Sequence, residues 1–301
     1  MEKLKSISYI TNENYQNNEL EVNEAVETYI YDVSQNHDKI FKEILYDKEE
    51  TRKFINKYLE LEIPIEEGKI ELYNSNYVTE AYRSKESDVV YKMKDKNIFF
   101  LIEHQSTIDL SMPYRIENYS MQIINAAIDK DKIGRANYLY PRVIPIVLYT
   151  GNKKWKAKLS FSEIQEQLPR YKYQDRSYII VDVNSYDKKD LLENELLVSK
   201  IMLLEKSETT KELIENTREI LEKVQEIEED KVNKMIKIML LLLGKKVGEK
   251  EAKRIIEKMI KRGEDDMFDV IERIEERERK ELQKREDKGR EEGTKEKNCM
   301  C

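Results

Sequence analysis

The sequence predicts an α/β core followed by an all-α extension. Runs rich in Val, Ile, Tyr and Phe cluster between residues 69 and 183. Apolar residues at helical spacing flank or interrupt them at 36–61 and 111–130, and beyond about residue 187 the helical spacing continues without an extended run. At 301 residues, 39% hydrophobic and 38% charged, the chain can bury a sizeable core beneath a heavily charged surface.

Residues 1–34 are polar, rich in Asn and Glu, and read as an N-terminal tail. From Asn36, Ile40, Phe41, Ile44 and Leu45 recur at helical spacing, as do Phe54, Ile55, Tyr58 and Leu59. Asp47 between the two sets is an N-cap candidate, with Glu50 as its capping-box partner. Pro64 and Gly68 end the helical pair. Extended runs follow at 69–79, 85–94 and 97–104, the last two joined by a turn at Asp95-Lys96. Residues 111–130 return to helix, with Ser111 as cap candidate and Tyr119, Ile123, Ala126 and Ala127 on one face. "RVIPIVLYTG" reads as a strand of the buried parallel kind, although Pro145 is awkward in a central strand. "SYIIVDV" at 177–183 is the last strand. The expected divisions are a tail at 1–34, the α/β domain at 35–186, a helical region at 187–283 and a charged, disordered tail at 284–301.

Several classes are excluded early. The longest apolar run, Ile238–Leu243, is far too short to span a bilayer, and the N-terminus lacks the apolar stretch of a signal peptide. No membrane association is expected. The only cysteines, Cys299 and Cys301, sit at the extreme end and cannot staple a fold, which suits a reducing cytoplasm. Net charge is −7, yet residues 130–180 hold eleven Lys and Arg against four acids, a local +7. Lys153, Lys154, Trp155, Lys156 and Lys158 are the candidate nucleic-acid contacts there, cations for phosphates with a ring interleaved. A solvated lysine-rich loop is the other reading of the same residues.

The candidate chemistry lies in "SDVVYKMKDKNIFFLIEHQS", residues 87–106. A two-residue turn at Asp95-Lys96 pairs Lys94 with Asn97, and counting outward brings Asp88 opposite Glu103. Directly opposed residues share a face, with Cβ atoms about 4.5–5.5 Å apart, and strand alternation adds Gln105 to that face. Three outcomes are open. The acids stand on a solvated edge, they share a proton, or a divalent cation bridges them. Oxygen ligands at this spacing suit Mg²⁺ or Mn²⁺ rather than zinc. A three-residue loop instead would turn the two acids apart.

In their order, "HDKIFKEIL" (37–45), "SDVVYK" (87–92), "FFLIEHQS" (99–106), "MPYRIENY" (112–119) and "VIPIVLYTG" (143–151) resemble the Rpn family of recombination-promoting nucleases, over about residues 36–185. The α-β-β-β-α-β order is similar to the PD-(D/E)XK restriction-endonuclease-like core. The resemblance implies metal-dependent hydrolysis of DNA phosphodiesters. It implies that Asp88 and Glu103 hold the metal, with the His104 backbone carbonyl as a further ligand. Gln105 stands where the wider fold has Lys, so water activation passes to the metal and a slow enzyme is expected.

Asp38 and Lys42 match the family's "HD..FK" pattern and stand as supporting candidates, the alternative being an i,i+4 surface ion pair of a few tenths of a kcal/mol. Arg115 and Tyr119, four apart on the following helix, are candidates for positioning the site or a phosphate. The His104 ring, on the face opposite Glu103, reads as packing. DNA is the expected partner, and the helical region is a candidate surface for a homo-oligomer. A nuclease-fold protein that binds DNA or a protein partner with little or no hydrolysis is the second functional reading.

Overall fold

A computed structural model describes residues 37–62, 64–73, 88–172, 176–223, 229–261 and 280. The expected tails at 1–34 and 284–301, residues 74–79 and 85–87 of the extended runs, and both cysteines lie outside the described residues. The described residues fall into two compact units, one ending at Lys206 and the other beginning at Ser207.

The first unit opens with two helices, α1 (His37–Leu45) and α2 (Lys48–Tyr58). Asp47 caps α2, its carboxylate accepting from the Glu49 and Glu50 amides at 3.0 Å. Glu50, the expected capping-box partner, is engaged far along the chain. The Asp47 amide donates to the Ile44 carbonyl, and the buried Glu50 carboxylate accepts from Val198 N at 3.0 Å instead. Glu50 therefore ties α2 to the start of a helix 148 residues away, a partner no local pattern reveals.

Five strands follow in chain order across one sheet: β1 (Ile70–Leu72), β2 (Asp88–Met93), β3 (Ile98–Gln105), β4 (Arg142–Tyr149) and β5 (Ile179–Asp182). The first three pair antiparallel, whereas β4 runs parallel to both β3 and β5. Pro145 pairs with Leu101 of β3 and lies one residue before the β5 ladder begins at Ile146, so on the β5 side it takes no ladder bond away. Between β3 and β4 runs α3 (Met112–Ala127). Ser111 precedes it, but its side chain makes no cap bond; its hydroxyl and amide both donate to Asp109 Oδ1. Met112, Ile116, Tyr119 and Ile123 form the buried face, and Ala126 is exposed rather than on it.

Strand alternation sorts the sheet into two packed faces. Phe99, Leu101, Val90, Val143 and Val147 meet Met112, Ile116, Tyr119 and Ile123 of α3. Phe100, Ile102, His104 and Tyr91 belong to the other face, where α1 and α2 pack. There Phe41 stacks on His104 with ring centroids 4.1 Å apart, and Tyr91 donates to the carbonyls of Leu45 and Tyr46 at 3.0 Å. Two further helices, α4 (Lys188–Glu193) and α5 (Leu197–Lys206), complete the unit. Tyr58 of α2 meets Ser199 of α5 at 2.8 Å, and Lys200, 3% exposed, donates to the carbonyls of Leu192 and Asn194 at the end of α4.

The second unit contains α6 (Thr210–Lys223), α7 (Glu229–Val247) and α8 (Glu249–Lys261), packed on one another. Met235, Met239 and Leu243 recur at four-residue spacing and are wholly buried, so the Met235–Leu243 run is core. Gly248 ends α7 at φ +88°, its amide donating to Gly244 O at 2.9 Å, a terminus that a side chain would strain.

Candidate active site at the end of β3

The turn between β2 and β3 occupies Lys94–Asn97, and the ladder pairs Lys92 with Phe99 and, outward from there, Asp88 with Glu103. Asp88 and Glu103 therefore hold opposed positions on the face that carries α3. Glu103 is 0% exposed. A buried carboxylate is costly unless opposite charge and hydrogen bonds surround it.

Both are supplied. Arg115, in the opening turns of α3, forms an ion pair with Glu103 Oε1 and a second, through Nη1, with Asp109 Oδ2 at 2.8 Å. Gln105, two residues along the same face, donates to Glu103 Oε1 at 2.8 Å and to the His104 carbonyl at 2.7 Å. Its amide thus connects the carboxylate with the backbone oxygen that follows it. Burial works against the Arg115 charge, but Glu103, Asp109 and Tyr119 outweigh it and hold the guanidinium above its ordinary value. For Asp109 burial again disfavours the charged form and so works upward, but the bonds from Ser111 and Arg115 prevail, leaving its carboxyl below the ordinary value. The Arg115 guanidinium also lies 5.8 Å from the centre of the Tyr119 ring.

The strand ends give the site its place. β3, β4 and β5 run parallel, and Gln105, Tyr149 and Asp182 lie side by side at their C-terminal ends. In open α/β sheets, this end of the strands is where ligand crevices form. Gly151 holds the chain against it: an added Cβ would meet Tyr149 Oη at 2.5 Å and the Ser106 carbonyl at 2.6 Å. The loop from Gly151 onward carries Lys153, Lys154, Lys156 and Lys158, all exposed. Trp155 is half-buried; its indole N–H donates to the Tyr178 hydroxyl at 3.0 Å and its ring lies 4.8 Å from Tyr149.

The remaining candidates lie elsewhere. The His104 ring faces α1, where Nε2 and Thr150 Oγ1 are 2.9 Å apart. Lys42 of α1 sits 5.9 Å from the centre of the Tyr46 ring. Asp38 lies on α1, and its side chain is outside the described residues. Sequence reasoning missed Asp109, the second partner of Arg115. Its signal was an acid just ahead of a helix and six residues before an Arg, too common a pattern to single out. It also missed Thr150, which lies inside "VIPIVLYTG" but carries no role from the motif alone.

The family described as "Putative transposase, YhgA-like" matches residues 35–235. The chain belongs to this family, the Rpn family of the sequence resemblance. The recombination-promoting nuclease RpnD of Escherichia coli O157:H7 is 30% identical over 129 residues, 41% of this chain and 48% of that protein. RpnC of Escherichia coli K12 is 28% identical over 123 residues, covering 38% and 39%. The K12 protein named inactive recombination-promoting nuclease-like protein RpnE is 24% identical over 197 residues, covering 60% and 61%. The chain thus spans less than two thirds of the length of these relatives. No solved structure matches it.

Proposed function

We propose that this chain is a metal-dependent DNA endonuclease that hydrolyses phosphodiester bonds in recombination or DNA mobility. The observation that carries the reading is the opposition of Asp88 and Glu103 at the C-terminal end of β3, with Glu103 buried and held by Arg115 and Gln105. In this reading the first unit is a PD-(D/E)XK core, with an all-α extension after it as a surface for a second copy, and the protein works in the cytoplasm. No helix among the described residues is long and apolar enough to cross a membrane.

The residues fit a hard divalent cation. The ligands on offer, the Asp88 and Glu103 carboxylates and the His104 carbonyl, are all oxygen, which suits Mg²⁺ or Mn²⁺. The charges agree: Asp88, Glu103 and Asp109 against Arg115 leave two negative charges, which one such ion offsets. When bound, the ion supplies Lewis acidity, lowering the pKa of its water and stabilising charge on the scissile phosphate. The Arg115 charge offsets the buried Glu103 carboxylate and fixes its direction. Gln105 donates to the same Glu103 oxygen as Arg115 and, being an amide, orients water without taking a proton from it. Asp38, Lys42 and Tyr119 stand as supporting residues, and the lysines of the β4–β5 loop, with Trp155 among them, as the DNA contact.

One observation favours a second reading, a DNA-binding protein with little or no hydrolysis. Two donors already occupy Glu103 Oε1, and the amide of Gln105 stands where a lysine would serve catalysis. Plasmid nicking separates the two. The endonuclease reading expects nicking with Mg²⁺ or Mn²⁺, abolished by EDTA and by Asp88→Asn. Intact DNA binding without nicking under either ion would leave the second reading.

A further inference from the structure

Two aromatic rings where the β4–β5 loop meets the start of α3 take no part in the roles assigned above. Tyr114, in the opening turns of α3, is 52% exposed, and its ring centre lies 5.8 Å from that of Phe161 in the β4–β5 loop. Neither ring belongs to the buried cluster beneath α3. Tyr114 immediately precedes Arg115, whose guanidinium holds Glu103, so the helix turn that presents the ring also anchors the site.

The loop has an excess of positive charge: between residues 151 and 172 six Lys and Arg stand against two acids, Glu163 and Glu166, the first of which pairs with Lys158 at 3.6 Å. The loop that supplies Phe161 also presents exposed Lys153, Lys154, Lys156 and Lys158, with Arg170 and Lys172 beyond. Trp155 of the same loop is turned inward to Tyr178, whereas Tyr114 is exposed and Phe161, against which it lies, is half-buried. The far end of the loop returns to α3, where Arg176 bonds Glu117 at 3.1 Å, one turn from Tyr114. Loop and helix together hold the rings in place.

An exposed tyrosine backed by a second ring, on a surface whose loop is rich in lysines, suits a base whose π-face is open and whose backbone carries phosphates. In a duplex those faces are buried in the stack, and only an unpaired base can present one. We propose that Tyr114 and Phe161 form a stacking platform for an unpaired base of single-stranded DNA beside the carboxylate site. The substrate class is then DNA with an unpaired segment, such as a flap, gap or melted end. This deepens the endonuclease reading and rests on its assignment of the site.

The test measures binding in EDTA, where cleavage cannot intervene, by fluorescence anisotropy of a labelled oligo(dT) and of a hairpin duplex. Tyr114→Ala is expected to weaken oligo(dT) binding about tenfold or more, since each stacked base contributes at this scale. Duplex affinity should change less than twofold, and Tyr114→Phe should bind as wild type. Equal loss on both probes, no loss on either, or no binding of oligo(dT) by the wild type would overturn the platform. The two proposals fail separately. Tyr114-dependent binding without metal-dependent nicking sinks the cleavage reading alone, whereas nicking with Tyr114→Ala binding oligo(dT) as wild type sinks the platform alone.

Discussion

Arg115→Gln is the substitution whose cost the structure defines best. The guanidinium is 11% exposed and pairs with Glu103, 0% exposed, and with Asp109, 24% exposed. Removing it leaves a carboxylate inside the protein without its counter-charge. Breaking a buried pair from one side costs about 3–5 kcal/mol, because the remaining charge keeps its desolvation penalty. The Asp109 bond is more open to solvent and adds less. Urea unfolding should therefore place Arg115→Gln about 3–5 kcal/mol below wild type with an unchanged m-value. Adding Glu103→Gln removes the stranded charge, so the double variant should be more stable than Arg115→Gln alone. A loss under about 0.5 kcal/mol for the single variant, the range of an ordinary surface substitution, would refute the reasoning.

Three further outcomes follow from the same geometry. Gly151→Ala forces a Cβ onto Tyr149 Oη and the Ser106 carbonyl, and should lower stability by about 1–3 kcal/mol in thermal unfolding, as overpacking does. Asp47→Ala leaves the Glu49 and Glu50 amides uncapped and should cost about 0.5–2 kcal/mol, read by chemical denaturation. The Asp109 carboxyl is depressed in the folded state, so its contribution is present above its unfolded value and fades as pH falls through the folded one. Stability measured from about pH 5 down to about pH 3 should accordingly fall less steeply in Asp109→Asn than in wild type.

Much of the sheet was legible because its signals are local. A polar pair between two alternating runs sets the β2–β3 register, and that register places Asp88 opposite Glu103. The continuous apolar run of β4 marks a strand flanked on both sides, which it is. What escaped were bonds between distant residues. Glu50 looks like a capping-box partner, yet its carboxylate serves Val198. Ser111 looks like a cap, yet Asp109 engages its hydroxyl. The bond from Arg115 to Glu103 depends on how α3 rotates against the sheet, and helical periodicity gives that rotation only approximately. Ala126 shows the same limit: expected on the buried face, it is exposed, while Ala127 beside it packs against the core.

The central claim is that Asp88 and Glu103 together hold one divalent cation. Titration of Mn²⁺ into the protein, followed by calorimetry without DNA, addresses it directly. The account predicts one site per chain, weakened tenfold or more by Asp88→Asn, roughly what removing one charged ligand from a shared ion costs. An Asp88→Asn isotherm that overlays the wild type, or no binding by either, would contradict it.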